Sequence, residues 1–187
     1  MIAPANLTNH FLIAMPQLAD PNFFHTVTYI CEHNDEGALG IVINRPLDIP
    51  LGEIFEHMEI QSSHRAVNDQ VVYMGGPVQQ ERGFVLHRPA TRWDSTLLVT
   101  DDIGLTTSRD VLAAMARGEG PVEAFVALGY AGWGAGQLER EMAENAWLSG
   151  PADERILFRS PPEQRWEEAA ALLGVDLNLL SGDAGHA

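Results

Sequence analysis

The 187-residue chain has no lysine and only one cysteine. All 11 of its cationic side chains are arginine, set against 26 carboxylates, so the formal net charge is −15. A field of that sign repels phosphate backbones and argues against nucleic-acid binding. No run of basic residues offsets it locally. Cys31 cannot close an internal disulfide, which fits a reducing compartment. Long apolar runs are missing too: none approaches the roughly 18 residues of a membrane helix. Residues 11–16, FLIAMP, are strand-sized. No Arg precedes Arg45, so the cationic start of a secretory signal is lacking. These absences lead us to expect a cytoplasmic protein without a membrane partner.

Familiar chemical signatures are also missing. The glycines at 129, 132, 134 and 136 do not match G-x-G-x-x-G, and a Walker loop requires the absent lysine. No G-x-S-x-G supports a hydrolase elbow. Cys31 and His33 share a strand face, but parallel neighbours sit roughly 6–7 Å apart at Cβ. That is too far for a nucleophile and its base, so a buried, inert thiol is expected. Glu53 and His57 stand at i, i+4 with His64 following, two weak ligands without a third at fixed spacing. Asp101-Asp102 suits turn and capping roles as well as a cation. No metal or cofactor is expected.

What is present organises around residues 128–147, LGYAGWGAGQLEREMAENAW. Residues 122–128 read as a strand apolar on both faces. Four glycines interleaved with Tyr130 and Trp133 predict a tight corner after it. Leu138 and Met142 at i, i+4 then start an amphipathic helix. Upstream, residues 1–9 read as a loosely held terminus and residues 10–15 as a strand closed by Pro16. Residues 26–33 and 38–43 form a hairpin around Asn34-Asp35-Glu36-Gly37. Residues 51–58 form a short helix and residues 61–69 a loop. Residues 71–74, 83–87 and 95–100 are strands. Thr107 and Asp110 resemble a capping pair for a helix over 110–117. Residues 155–158 read as a late strand, and Ser160-Pro161-Pro162-Glu163 as a capped helix start. With no repeat or linker, one domain spans 1–187. Its hairpin-rich order favours α+β with a mostly antiparallel sheet.

One constellation stands out. Asn44-Arg45-Pro46, Gly75-Gly76-Pro77 and His87-Arg88 all fall at strand ends. If those ends converge, Asn44, Arg45, Gly75, Gly76 and His87 form a candidate anion- or ligand-binding cleft of free N–H groups, a cation and a titratable ring. The alternative is that Arg45 and Arg88 are surface partners for the many carboxylates.

Together these segments resemble the bacterial AlgH/YqgE family, and the AlgH branch in particular. The resemblance is carried by residues 11–16 (FLIAMP), 20–23 (DPNF), 32–34 (EHN), 40–46 (GIVINRP) and 75–78 (GGPV). It continues through 83–87 (GFVLH), 128–133 (LGYAGW), 136–139 (GQLE), 145–147 (NAW) and the Ala-Gly-His-Ala end. It implies a single α+β domain whose sheet bends into a barrel-like body with flanking helices. It also brings a transcriptional-regulator label, with no catalytic residue or cofactor to transfer. A cysteine at the position of Cys31 is not required by that pattern. No helix-turn-helix pair with a basic recognition helix is visible. Three functions follow, in order of preference. The first is a regulator or adaptor that binds a protein or small anion, the second an enzyme around Asn44, Arg45 and His87, and the third a DNA reader.

Overall fold

In a computed structural model of the chain, residues 6–180 are described. Residues 1–5 and the Ala184-Gly185-His186-Ala187 end lie outside them. The first half runs β1 (His10–Ala14), β2 (Val27–Asn34), β3 (Gly37–Val42), β4 (Pro46–Pro50), α1 (Leu51–His57), α2 (Arg65–Asn68), β5 (Val71–Met74) and β6 (Val78–Arg88). Next come β7 (Thr96–Leu98), β8 (Gly104–Thr106), α3 (Arg109–Ala116), β9 (Glu123–Gly134) and α4 (Gln137–Ala143). The chain closes with β10 (Trp147–Pro151), α5 (Glu154–Phe158), α6 (Arg165–Ala171) and α7 (Leu177–Leu180). No helix among the described residues is long and apolar enough to cross a membrane.

The strands join as β10-β1-β2-β3-β9-β6-β8-β7, antiparallel throughout that path. The sheet curls into a half-barrel with flanking helices, so the α+β expectation is met. The exception to antiparallel pairing is β5, which lies parallel to β9, with β4 paired to it outside. β9 lies between three partners, β3, β5 and β6. One of its edges pairs β6 over residues 123–130. Its other edge pairs β5 through Val126, Ala127 and Leu128, then β3 through Ala131 to Gly134. Its inward side chains feed apolar clusters on both faces: Phe125 and Ala127 one way, Val126 the other.

The change of partner from β5 to β3 happens at Gly129, whose φ is +79°. There the end of β5 runs against β9. The Gly75 N–H donates to the Leu128 carbonyl (2.8 Å), and the Gly75 carbonyl accepts from the Val42 N–H (2.8 Å). A Cβ on Gly76, whose φ is +156°, would fall inside the Tyr130 carbonyl group. One on Gly129 would fall inside the Gly76 carbonyl. Only hydrogen on these two Cα atoms lets the backbones cross.

Several local expectations change. The glycine-rich corner after residue 128 is strand up to Gly134, because β3 and β6 flank it, and the turn shrinks to residues 135–136. Residues 155–158 are helical, nucleated by Asp153, whose side chain accepts from the Ile156 N–H at 3.1 Å. An apolar run this short fits either period, and the cap decides. Ser160 is not a cap. Its hydroxyl donates to Glu168 (2.7 Å), and a 3₁₀ turn over Pro162–Gln164 leads into α6. The expected Thr107–Asp110 capping pair is not formed at α3: the N-cap is Ser108, whose hydroxyl donates to Asp110 at 2.6 Å and caps no backbone N–H of the helix. The polar segment 61–69 contains α2, residues 83–87 are the end of the longer β6, and β7 is shorter than residues 95–100 suggest. β4, β8 and β10 were not anticipated. β4 and β10 carry Pro or Gly and sit at edges, where a missing N–H or side chain is tolerated. Residues 7–9 are also tied down: Leu7 is buried, and Asn9 bonds Tyr29, Ile30 and Ala152.

The glycine crossing carries a direct test. Gly76→Ala should cost more than about 3 kcal/mol, since strain and backbone overlap combine there. Gly83→Ala should change stability by less than about 1 kcal/mol, because a Cβ there meets no heavy atom within 4 Å. Urea unfolding of both variants checks the contrast, and equal losses would contradict the crossing as described.

Candidate functional site

The structure gathers four of the five residues singled out at strand ends and leaves the fifth apart. Asn44, Arg45, Gly75 and Gly76 meet at the crossing, where the Met74 N–H donates to the Arg45 carbonyl (2.8 Å). His87 pairs Ala124 across the opposite edge of β9, four positions from Leu128 and roughly 13 Å along the strand.

Each side chain of the set is already engaged. Asn44 accepts from the Val27 N–H and donates to the His25 carbonyl, both at 2.9 Å. Arg45 donates to the carbonyls of Pro21, Asn22 and Phe24, all at 2.9 Å, clamping the loop between β1 and β2. His87 is fully buried. Its Nδ1 faces the Pro89 carbonyl (2.9 Å) and therefore donates, so Nε2 accepts from the Thr106 hydroxyl (2.7 Å). Burial lowers its pKa, partly opposed by the bond to Pro89, and the ring stays neutral inside the sheet.

Cys31 is 1% exposed, and burial pushes its thiol pKa far up. His33 turns away from it at a β-bulge between Ile30 and Glu32. The His33 Nδ1 accepts from the Leu7 N–H (2.9 Å), leaving Nε2 to donate to Glu139 (3.2 Å). Among the described residues no three His, Cys, Asp or Glu side chains gather as a metal site. Asp102 is held by Arg88 at 2.6 Å.

A different place has the shape of a ligand site. Between α1, the start of α3 and β6 lies a cleft of about 400 Å³. Its floor is Ile54, Met58, Leu112 and Leu128, the core-facing side of both helices and the middle of β9. Its rim carries His57, Glu81, Arg82 and Arg109, all exposed, with Ser108 half-buried beside them. α1 presents Ile54 and His57 one turn apart because Leu51 and Phe55 anchor its other stripe in the core. Arg109 ties the two helices together, donating to the carbonyls of Met58 (3.1 Å) and Glu59 (3.3 Å) at the end of α1.

The third wall is a break in register. Val78 pairs Tyr130 and Gly83 pairs Leu128, so β6 advances five residues (83 − 78) while β9 advances two (130 − 128). Three residues are therefore extra, and the strand bulges, with Gln79 at φ +51°. Bulges of this kind re-aim side chains beside functional sites. This one sends Arg82 over the Phe84 ring (5.7 Å to its centre) and leaves Gly83 bordering open space.

Four arginines of this acidic chain, Arg88, Arg117, Arg155 and Arg159, are paired with carboxylates. Among the described residues, Arg45, Arg65, Arg82, Arg92, Arg109, Arg140 and Arg165 have no carboxylate within 4.0 Å, and of these Arg82 and Arg109 line the cleft. Neither residue was singled out from the sequence, where Arg82 sits in a polar stretch, QQER, between the strands expected at 71–74 and 83–87. The signal was there, since a polar insert inside an apolar strand pattern is how a bulge reads.

A family profile described as AlgH-like (DUF179) matches residues 11–178. The chain is 64% identical over 187 residues to a UPF0301 protein of Thioalkalivibrio sulfidiphilus, covering 100% of both. It is 59% identical over 179 residues to one of Nitrosococcus oceani, covering 96% of each. The solution structure of AlgH from Pseudomonas aeruginosa superposes with a TM-score of 0.81 at 52% identity, over 100% of this chain and 99% of that one. A Corynebacterium diphtheriae crystal structure superposes at 0.75 with 18% identity, over 97% and 94% of the two chains, and speaks to the fold alone.

Two outcomes are expected from these placements. Arg45→Ala should lower stability by about 1–3 kcal/mol, because three carbonyls lose a charged donor while partly exposed to water, and urea denaturation measures it. The Cys31 thiol should resist a disulfide reagent in the native protein at pH 8 and react fully once denaturant is added. Rapid labelling without denaturant would contradict the burial.

Proposed function

The chain belongs to the AlgH-like family, and from that premise we propose that it is an intracellular binding protein whose ligand is a small anion, held in the cleft between α1, α3 and the β6 bulge. The observation that carries this reading is the pair Arg82 and Arg109. Both residues line an apolar-floored cavity in a chain of net charge −15, the Arg109 head donating to the carbonyls at the end of α1 and the Arg82 head lying over the Phe84 ring. A cavity of about 400 Å³ lies within the usual range for small-molecule sites, which combine apolar walls with a few convergent polar groups. Elsewhere the surface field repels anions, so a local positive rim provides selectivity as well as affinity.

An enzyme centred on Asn44, Arg45 and His87 has less support. The side chains of the first two are bonded to the loop before β2, and the third is a neutral ring inside the sheet. A regulatory role through direct DNA contact is disfavoured by the charge, and none of the helices that line the cleft is a basic recognition helix. Any influence on transcription would then pass through the bound ligand or a partner protein.

The test uses inorganic phosphate and acetate as probes with thermal unfolding as the readout. A ligand that binds only the folded state raises apparent stability in proportion to RT ln(1 + [L]/Kd). Both anions should raise the midpoint of the wild type at constant ionic strength, and Arg82→Ala should abolish most of the rise. Arg82 bonds only Gln79, at 3.4 Å, so its removal leaves the fold intact. An unchanged rise in the variant would remove the site from consideration. Tight, sequence-selective duplex DNA binding near 150 mM salt would overturn the whole reading.

A further inference from the structure

We infer that residues 89–98, the loop after β6 together with β7, are an acid-released flap: protonation of His87 reverses a chain of hydrogen bonds that ends at Trp93 and frees the segment from the sheet. This inference stands apart from the anion-binding reading and does not depend on it.

The hydrogen count along that chain is fixed. The His87 Nδ1–H donates to the Pro89 carbonyl, and Nε2 accepts from the Thr106 hydroxyl. With its one hydrogen committed there, Thr106 accepts from the Thr96 hydroxyl (2.8 Å), and Thr96 in turn accepts from the Trp93 N–H (2.8 Å). Every donor along it has one acceptor. A proton on Nε2 turns the order round. The ring then donates to Thr106, the Thr106 hydrogen must go to Thr96, and the Thr96 hydrogen is left over. Thr96 is half-buried in β7, the last strand of the sheet, so its hydroxyl reaches water by turning outward. The Trp93 N–H loses its partner as it does.

Nothing beside the ring can absorb the charge in place. His87 lies on the same side of β6 as Val85, the side against which α3 and Trp93 pack. A Cβ on Gly104 would sit 2.8 Å from the ring's Cε1 and 3.1 Å from Nε2, so no water fits between the ring and β8. Its strand neighbours are Gly104 and Thr106 from β8, Thr96 from β7 and Ala124 from β9, none of them charged. The charged residues nearby have other partners. Arg88 and Glu123 bond each other and extend to Asp102 and Arg159. On α3, Asp110 holds the Ser108 hydroxyl and the Asp94 N–H (2.8 Å), and Arg109 reaches the end of α1. Arg92 and Asp94, within the segment itself, are exposed.

Two features bias the segment toward opening. β7 is three residues long and pairs with one strand. The Trp93 indole, packed against the cluster beneath α1 and α3, encloses an Nε1–H with no partner, which water satisfies once the segment lifts. Release therefore uncovers apolar surface on that cluster. Burial holds the His87 pKa below its ordinary value in the closed state. Support for closure is then complete above the ordinary histidine pKa of about 6.5 and is withdrawn as the pH falls below it. The open-to-closed ratio rises by up to about tenfold per pH unit through that window.

Fluorine NMR of the full chain labelled with fluorotryptophan tests this between about pH 8 and about pH 5.5. The Trp93 signal, assigned from Trp93→Phe, should move toward its solvent-exposed position below about pH 6.5 while far-UV circular dichroism stays constant. His87→Gln should remove the movement. Thr106→Val keeps the ring but cuts its link to Thr96, and should remove most of it. No movement in the wild type, or full movement in either variant, would overturn the inference. Should His87→Gln fail to fold, proton NMR titration of the His87 ring in the wild type takes its place. The ring and the Trp93 signal should then share one midpoint, and separate midpoints would overturn the inference equally.

Discussion

The structure depends on one close approach, the passage of β5's end across β9 at Gly75, Gly76 and Gly129. β9 must hold β5 in parallel register and then β3 in antiparallel register along a single edge. Both partners cannot occupy the same stretch, so one has to leave where the other arrives. The exchange takes place within three residues, from Leu128 to Ala131. It works because Gly129 bends at positive φ and the facing glycines bring no Cβ. The two halves of the sheet, and the clusters on its faces, are joined through this point. A side chain there would push β5 and the helix α1 before it away from the half-barrel.

The same crossing generates the cleft. A Cβ on Gly129 would also touch the Val78 carbonyl (3.0 Å) and Gln80 Cα (3.2 Å), so the start of β6 rests directly on this glycine. Having wrapped over the bend, β6 cannot resume its ladder at once. It takes up the slack with three extra residues before pairing again at Gly83. Those residues stand off the sheet beside α1 and α3 and make the third wall. The cavity is thus a geometric consequence of the strand exchange, and the aliphatic residues beneath it belong to the cluster that packs the helices on the sheet.

How much of this was legible in the sequence follows from which forces are local. Periodicity located β1, β2, β3, α1, β5 and α3, because each has a side that must face the core, and the resemblance to AlgH/YqgE proteins extended those pieces to a barrel-like α+β body. The glycines at 75, 76 and 129 were noticed, but as turns. A glycine needed for close passage between strands looks identical to one needed for a corner, and only the partner strand distinguishes them. Grouping His87 with Arg45 failed for the same reason. Both sit at strand ends, yet on opposite edges of β9. Arg82 lay hidden in QQER because register is a relation between two strands and leaves little trace in either one.

The absence of lysine becomes intelligible beside these contacts. Arg45 reaches three carbonyls at once. Arg88 lies within ion-pair distance of Asp102, Glu123 and Glu154. Arg165, 3% exposed, donates to the carbonyls of Ser160 and Ile43 with its guanidinium over the Tyr73 ring. Burial lowers its pKa, yet the guanidinium stays charged, whereas a lysine in that setting can lose its proton. A planar fork with five donors serves each of these positions, and a point charge on a flexible stem does not. Against that background Arg82 differs. It reaches one glutamine at 3.4 Å and one ring face, and holds no carboxylate or backbone carbonyl among the described residues. Arg65, Arg92 and Arg140 likewise hold no carboxylate among the described residues, so the clamp role belongs to Arg45, Arg88 and Arg165 and not to every arginine of the chain.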